Sequence, residues 1–196
     1  MSASPLSWVS CDGGPHVLLP AEASSEWSGI RASGDARRGR AAFRWSGDAS
    51  MPGSDYDAAC DVSGLVGLLP MGTGAALVLG DEVPMSTWLP HDRFRGGVLV
   101  VPMTWPDTAH DDPALRDAVA SVAPSEFLPT GLVLPAANGR FLLCAAADFG
   151  PDWQYPTLPL CLPLPPPLPP AAYDIVSVEV PIQGFWLRLH ALQSAW

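Results

Sequence analysis

Apolar residues recur along the chain in short runs broken by Gly, Pro, Ser and Asp, the pattern of many strands joined by turns. Leu6-Ser7-Trp8-Val9-Ser10 and His16-Val17-Leu18-Leu19-Pro20 flank Cys11-Asp12-Gly13-Gly14-Pro15, which predicts two strands around a hairpin or a sharp corner. Val62 to Pro70 and Ala75 to Gly80 are β-prone, and their connector Met71-Gly72-Thr73-Gly74 is short enough for a β-hairpin. Gly97 to Met103 reads as a buried strand. Gly131 to Leu134 and Phe141 to Ala147 follow, with Asn138-Gly139 between them as a hairpin turn. Tyr173 to Val180 and Phe185 to Leu192 complete the set. In the last, Phe185, Leu187 and Leu189 alternate with Trp186, Arg188 and His190, giving one apolar and one more polar face.

Helical spacing is scarce. Asp55 to Cys60 predicts one or two helical turns, with Asp55 placed to cap the free N–H groups. Asp112 before Pro113 starts a second helix, in which Leu115, Val119 and Val122 share one face and which Pro124 ends. About nine or ten strands against one or two short helices predict an α+β fold, mainly antiparallel β-sheet, in a single domain over residues 1–196.

Two stretches break the pattern. From Ser28 to Gly53 the chain turns to Gly, Ser, Ala, Arg and Asp around the cluster Arg37-Arg38-Gly39-Arg40, so residues 28–54 are expected to form a flexible loop or insertion, with a short strand at Ala42 to Trp45. Tyr155 to Ala172 carries no charge, yet its eight prolines exclude a membrane-spanning helix. There Leu158, Leu160, Leu162 and Leu164 alternate with Pro159, Cys161, Pro163 and Pro165. Every missing N–H donor falls on one side, as in an edge strand protected against further pairing.

Charge narrows the partners. Charged residues make up 15% of the 196-residue chain, well below the usual quarter or so. Its ten basic residues are all Arg, and twenty acidic residues bring the net charge to −10. Such a field repels nucleic acid and anionic membranes and attracts basic partners. Cys11, Cys60, Cys144 and Cys161 form no CxxC pair and fit reduced thiols, and Met1 to Ser10 has no export signal, so a cytoplasmic location is expected.

Candidate chemistry is thin. There is no G-x-S-x-G, and His16, His91, His110 and His190 sit in no recognisable catalytic motif, so no catalytic residue, metal or cofactor is assigned. His110-Asp111-Asp112 mixes imidazole with carboxylates, but Asp112 already serves as a helix cap. Gly72-Thr73-Gly74 lacks the lysine and further glycines of a phosphate cradle. Asp81-Glu82 follow a buried strand, where they could anchor a basic partner or simply bond turn amides. Of the eight tryptophans, Trp27, Trp88, Trp153 and Trp196 lie beside loops or at the terminus, where interface anchors are found.

The ordered set Trp8-Val9-Ser10, Gly13-Gly14-Pro15, Leu18-Leu19-Pro20, Asp55-Tyr56, Ala59-Cys60, Gly67 and Gly74 through Glu82 resembles the immunity protein 21 family of bacterial polymorphic toxin systems. The second half is similar through Phe141-Leu142-Leu143, Ala145-Ala146-Ala147, Gly150 and Leu187-Arg188-Leu189. Two features depart from the family pattern: the long Ser28 to Gly53 stretch, and Leu65 where an aromatic residue is expected. The resemblance implies an intracellular, non-catalytic protein that binds and neutralises a cognate toxin domain. The acidic charge suits a basic, nuclease-like toxin. Asp81 and Glu82, helped by Asp55 and Asp57, with Trp88 as aromatic anchor, are the expected partner-binding residues. The rival readings are a hydrolase-type enzyme with a site built from His, Asp and Glu, and a regulatory module that binds a host protein. A deep cleft joining His91 or His110 to Asp81 and Glu82 would favour the enzyme.

Overall fold

The computed structural model describes residues 6–11, 13–30, 53–71, 74–80, 83–91, 93–103, 112–136, 139–148, 161–163, 171–182 and 185–194. In chain order these form β1 (Val9–Ser10), β2 (His16–Pro20), a 3-10 turn (Ala21–Glu26), α1 (Asp55–Cys60), β3 (Val66–Met71), β4 (Gly74–Leu79), β5 (Met85–His91) and β6 (Phe94–Pro102). Then come α2 (Asp112–Ser121), a second 3-10 turn (Pro124–Glu126), β7 (Leu128–Ala136), β8 (Phe141–Ala145), β9 (Cys161–Pro163), β10 (Ala171–Ile182) and β11 (Phe185–Ser194). The strands make a six-stranded sheet, β1-β5-β6-β11-β10-β7, and a five-stranded sheet, β3-β4-β2-β8-β9. All described pairings are antiparallel. The chain is thus mainly antiparallel β-sheet with few short helices, as its pattern predicts.

The near-continuous apolar strands are explained by burial of both sheet faces. Leu18, Leu77, Leu79, Leu99, Val101, Leu143 and Ile175 meet in the core between the sheets. Their neighbours in sequence point the other way. Val98, Val100, Leu187 and Leu189 face outward and are covered by Leu115 and Val119 of α2 together with Val122 and Phe127. On the opposite side, Val17, Leu19, Ala76 and Val78 are covered by Trp27, by Ala59 of α1 and by Tyr56. The order is therefore helix, sheet, sheet, helix. Each central strand is apolar on both faces because each face meets a layer.

Several local expectations change once the sheets are assembled. The Gly13-Gly14 turn is a corner: β1 pairs with β5 in the six-stranded sheet, whereas β2 lies between β4 and β8 in the other. The β3–β4 hairpin forms as expected, with Met71 opposite Gly74. By contrast, β7 and β8 are not a hairpin. Both edges of β8 are taken by β2 and β9, while β7 pairs with β10, so the link between them crosses from sheet to sheet. Strand β5 carries no strong signal because burial on both faces, Pro84 just before it and Pro90 within it erase the alternation. β9, the described part of the Leu/Pro stretch, does lie at a sheet edge, as its prolines require. The strand expected at Ala42 to Trp45 lies outside the described residues, as do residues 31–52. Among the described residues, no helix is long and apolar enough to cross a membrane.

Leu77 between the sheets and Leu189 beneath α2 are both fully buried. Truncating either leaves a cavity that neighbouring strands can only partly close. Leu77→Ala and Leu189→Ala should each cost about 2–5 kcal/mol, read as a lower urea midpoint with an unchanged transition slope.

Candidate functional site

Helix α1 is nucleated by its own polar residues. Ser54 is the N-cap: its Oγ accepts from the Asp57 N–H at 3.1 Å, and Asp57 Oδ2 accepts from both the Ser54 N–H and the Ser54 hydroxyl at 2.8 Å. This is a closed capping box. The capping role expected of Asp55 therefore belongs to Ser54 and Asp57. Asp55 instead ties α1 to the preceding segment, accepting from the Ser28 N–H at 2.6 Å and donating its own N–H to Ser28 Oγ at 3.2 Å. Asp57 is buried and Asp55 half-buried, so both carboxylates are engaged within the fold.

The next residue, Tyr56, lies against the Gly13-Gly14 corner. Gly14 has φ +102°, and a Cβ there would come within 2.8 Å of the Tyr56 hydroxyl. Only glycine meets both demands. Burial, followed by a hydrogen bond to Cys60, pushes the Tyr56 hydroxyl up to about 12, so the phenol stays neutral. Gly80 closes the same region from another strand: its N–H donates to the Leu65 carbonyl at 3.0 Å, and a Cβ would sit 2.2 Å from the Gly64 oxygen. Val83 is held in turn by its N–H to the Gly14 carbonyl at 3.3 Å. Gly14, Tyr56, Cys60, Gly64 and Gly80 thus line one open cleft of about 400 Å³. Gly14-Pro15, the Tyr56 to Cys60 segment, and Gly80, far apart in sequence, converge there.

Asp81 and Glu82 lie outside the described residues, although Gly80 and Val83 on either side of them are fixed at this cleft. Trp88 requires a correction. It is 5% exposed and packs in the core between the sheets, because β5 is an interior strand whose inward positions meet the opposite sheet. The ring contributes to stability there and is not presented to a partner.

Two buried histidines carry the remaining polar chemistry. His16 Nδ1 lies 2.6 Å from Ser86 Oγ, joining β2 of one sheet to β5 of the other, and its Nε2 lies 3.2 Å from Cys11 Sγ. The thiol also bonds the Gly13 and Val83 carbonyls at 3.4 and 3.5 Å. Order alone suggests a thiol, a base and an orienting hydroxyl. Burial, however, lowers His16 to about 4, leaving a neutral imidazole that cannot stabilise a thiolate as imidazolium would. The group is a polar bridge between the sheets.

His190 is also buried. It faces Ser177 across β10 and β11, with Nδ1 2.6 Å from Oγ. Burial, then the Arg188 charge, pulls it down to about 3. One step along the same face, Arg188 Nε donates to Glu179 Oε1 at 3.0 Å, with the Arg side chain 5% and the Glu 46% exposed. These four residues help line a second open cleft, of about 430 Å³, rimmed by Leu65 and Leu128. The alternation of Trp186, Arg188 and His190 marks this face in the sequence. Their pairing with Ser177 and Glu179 depends on register and is not legible there.

His91 does not meet these groups. Its ring packs on Phe94 at a centroid distance of 5.0 Å, in a separate, smaller recess of about 340 Å³ with Arg93, Arg116 and Asp117. His110 lies outside the described residues. Among the described residues no group of three or more His, Cys, Asp or Glu side chains could hold a metal ion.

The convergent cleft is built from the segments that carry the family resemblance, and a family model described as Immunity protein 21 matches residues 7–181. The chain belongs to the immunity protein 21 family. No curated protein and no solved structure matches it. For this immunity protein the match runs from before β1 to Pro181 near the end of β10, so it takes in the five-stranded sheet, every strand of the six-stranded sheet except β11, α1 and the convergent cleft.

The two histidines make its stability pH-dependent. Their folded pKa values lie below the ordinary 6.5, so the unfolded chain takes up protons first as pH falls. Stability should be full above pH 6.5 and fall as pH drops from there towards 4, with a slope on the order of 1 kcal/mol per unit for each histidine. Urea midpoints at pH 7.5 and 5.0, above most carboxylate titration, should separate in the wild type. The His16→Gln/His190→Gln double variant should narrow that gap.

Proposed function

We propose that this immunity protein binds the toxin domain encoded beside it in a polymorphic toxin system and blocks that domain without chemistry of its own. The observation that carries this reading is the family match across residues 7–181. Three further features support it. A net charge of −10 favours encounter with a basic toxin such as a nuclease. The histidines of the two polar centres are held neutral, His16 at about 4 and His190 at about 3. The convergent cleft brings fixed backbone to either side of Asp81-Glu82.

In this reading the chain works as one domain in the cytoplasm, and Asp81 and Glu82 meet the partner directly. Asp55 and Asp57 act from behind, holding α1 and Tyr56 in place. Acidic contacts of this kind set encounter rate and specificity more than the final packing.

Co-expression with the neighbouring toxin domain should restore growth, and the two chains should co-purify as a 1:1 complex. Charge reversal in Asp81→Arg/Glu82→Arg should slow association at least tenfold at low salt, measured by biolayer interferometry on an inactivated toxin. Loss of neither rescue nor association rate in that variant would remove Asp81 and Glu82 from the interface. Failure of the wild-type protein to rescue growth or bind would overturn the toxin-binding reading itself.

A further inference from the structure

The face shared by Ser177, Glu179, Arg188 and His190 continues past the second cleft. Trp186 precedes Arg188 by two residues on β11 and therefore projects from the same face, about 7 Å further along the strand. It lies opposite Pro181, and its carbonyl accepts the Met103 N–H at 2.8 Å. Trp186 is 50% exposed and Met103 40%. On the rim of the cleft, Leu128 is 69% and Leu65 41% exposed. Four of the five large exposed hydrophobics among the described residues are therefore at or beside this face.

The polar groups there are unequal in sign. Among the described residues that line the cleft, Glu126 and Glu179 are acidic and Arg188, buried against Glu179, is the one cation. Glu126 is exposed, with Oε1 accepting from the Ala123 N–H at 2.8 Å. An exposed indole, flanking aliphatic side chains and a surplus carboxylate together fit a long cationic side chain. Its methylenes can lie on Leu65 and Leu128, and its charge can face Glu126, Glu179 and the indole. Leu65 also links this cleft to the first, because its carbonyl holds the Gly80 N–H beside Asp81.

We infer that this face is a second part of the toxin-binding surface and takes an arginine or lysine of a basic partner between the Leu65–Leu128 rim and Trp186. The inference rests on the toxin-binding reading above and adds to it a specific anchor. It places the energetic centre of the interface on the Trp186 indole, a residue type that often dominates binding, beside a cleft with an aliphatic rim, and leaves Asp81-Glu82 to steering.

The test uses the full-length protein with the inactivated toxin domain encoded beside it. Trp186→Ala and Leu128→Ser should each weaken binding at least tenfold, mainly through faster dissociation, while Glu126→Lys should weaken it with a marked salt dependence. Leu128 is exposed enough that Leu128→Ser should melt like the wild type, so it remains informative if Trp186→Ala is destabilised. If the wild type binds and Leu128→Ser and Glu126→Lys bind within twofold of it, the face is not an interface, and the toxin-binding reading stands on other residues. If the wild type does not bind the toxin, the broader reading fails and this inference fails with it.

Discussion

The constraint on which the rest of the structure depends is that the central strands bury both faces. In β2, β4 and β6 successive residues, such as Val17 and Leu18, Leu77 and Val78, or Leu99 and Val100, point into different hydrophobic layers with essentially no exposure. A single polar substitution anywhere along these runs would place an unsatisfied group in a core. Variation is thus pushed to strand ends, edges and connections, and so is function. Both open clefts lie at such margins, and the small α1 and α2 serve chiefly as lids over outer faces that could not remain in water.

The same constraint explains why the buried polar groups come in pairs. His16 with Ser86 crosses between the sheets, His190 with Ser177 spans adjacent strands, and Glu179 with Arg188 lies one step beyond. Each arrangement matches a donor to an acceptor within register and lets imidazoles stay neutral where a charge would be costly. These pairs specify which residues must face each other, something a uniformly apolar interior does poorly. They also impose a cost in acid, because a neutral buried histidine can be charged only by leaving its site.

What could be read from the sequence follows the range of the interactions involved. The α2 face, the β3–β4 hairpin and the proline-marked edge are local signals, set by spacing or by a missing N–H, and they survive assembly. The β7–β8 connection shows the limit: Asn138-Gly139 signals a turn, but whether the strands beside it pair depends on β2, which lies more than a hundred residues earlier. Trp88 shows the other limit. Its position beside a loop in the sequence suggests an interface anchor, whereas the opposite sheet buries it. The cleft of Gly14, Tyr56 and Gly80 was legible as motif pieces but not as one place, since only the corner between sheets brings them together.

The two surfaces invoked for toxin binding divide the physical task. In the proposed interface the acidic side chains would act while the molecules are still apart, with salt screening them beyond about 10 Å. They raise association without committing much desolvation. The exposed Trp186, Leu65 and Leu128 would act only at contact, where removal of apolar area from water slows dissociation. An inhibitor that must capture its target before damage is done needs both. In the proposed reading, a sparsely charged acidic surface and the apolar face around Trp186 would provide them from a fold whose interior leaves little else free to vary.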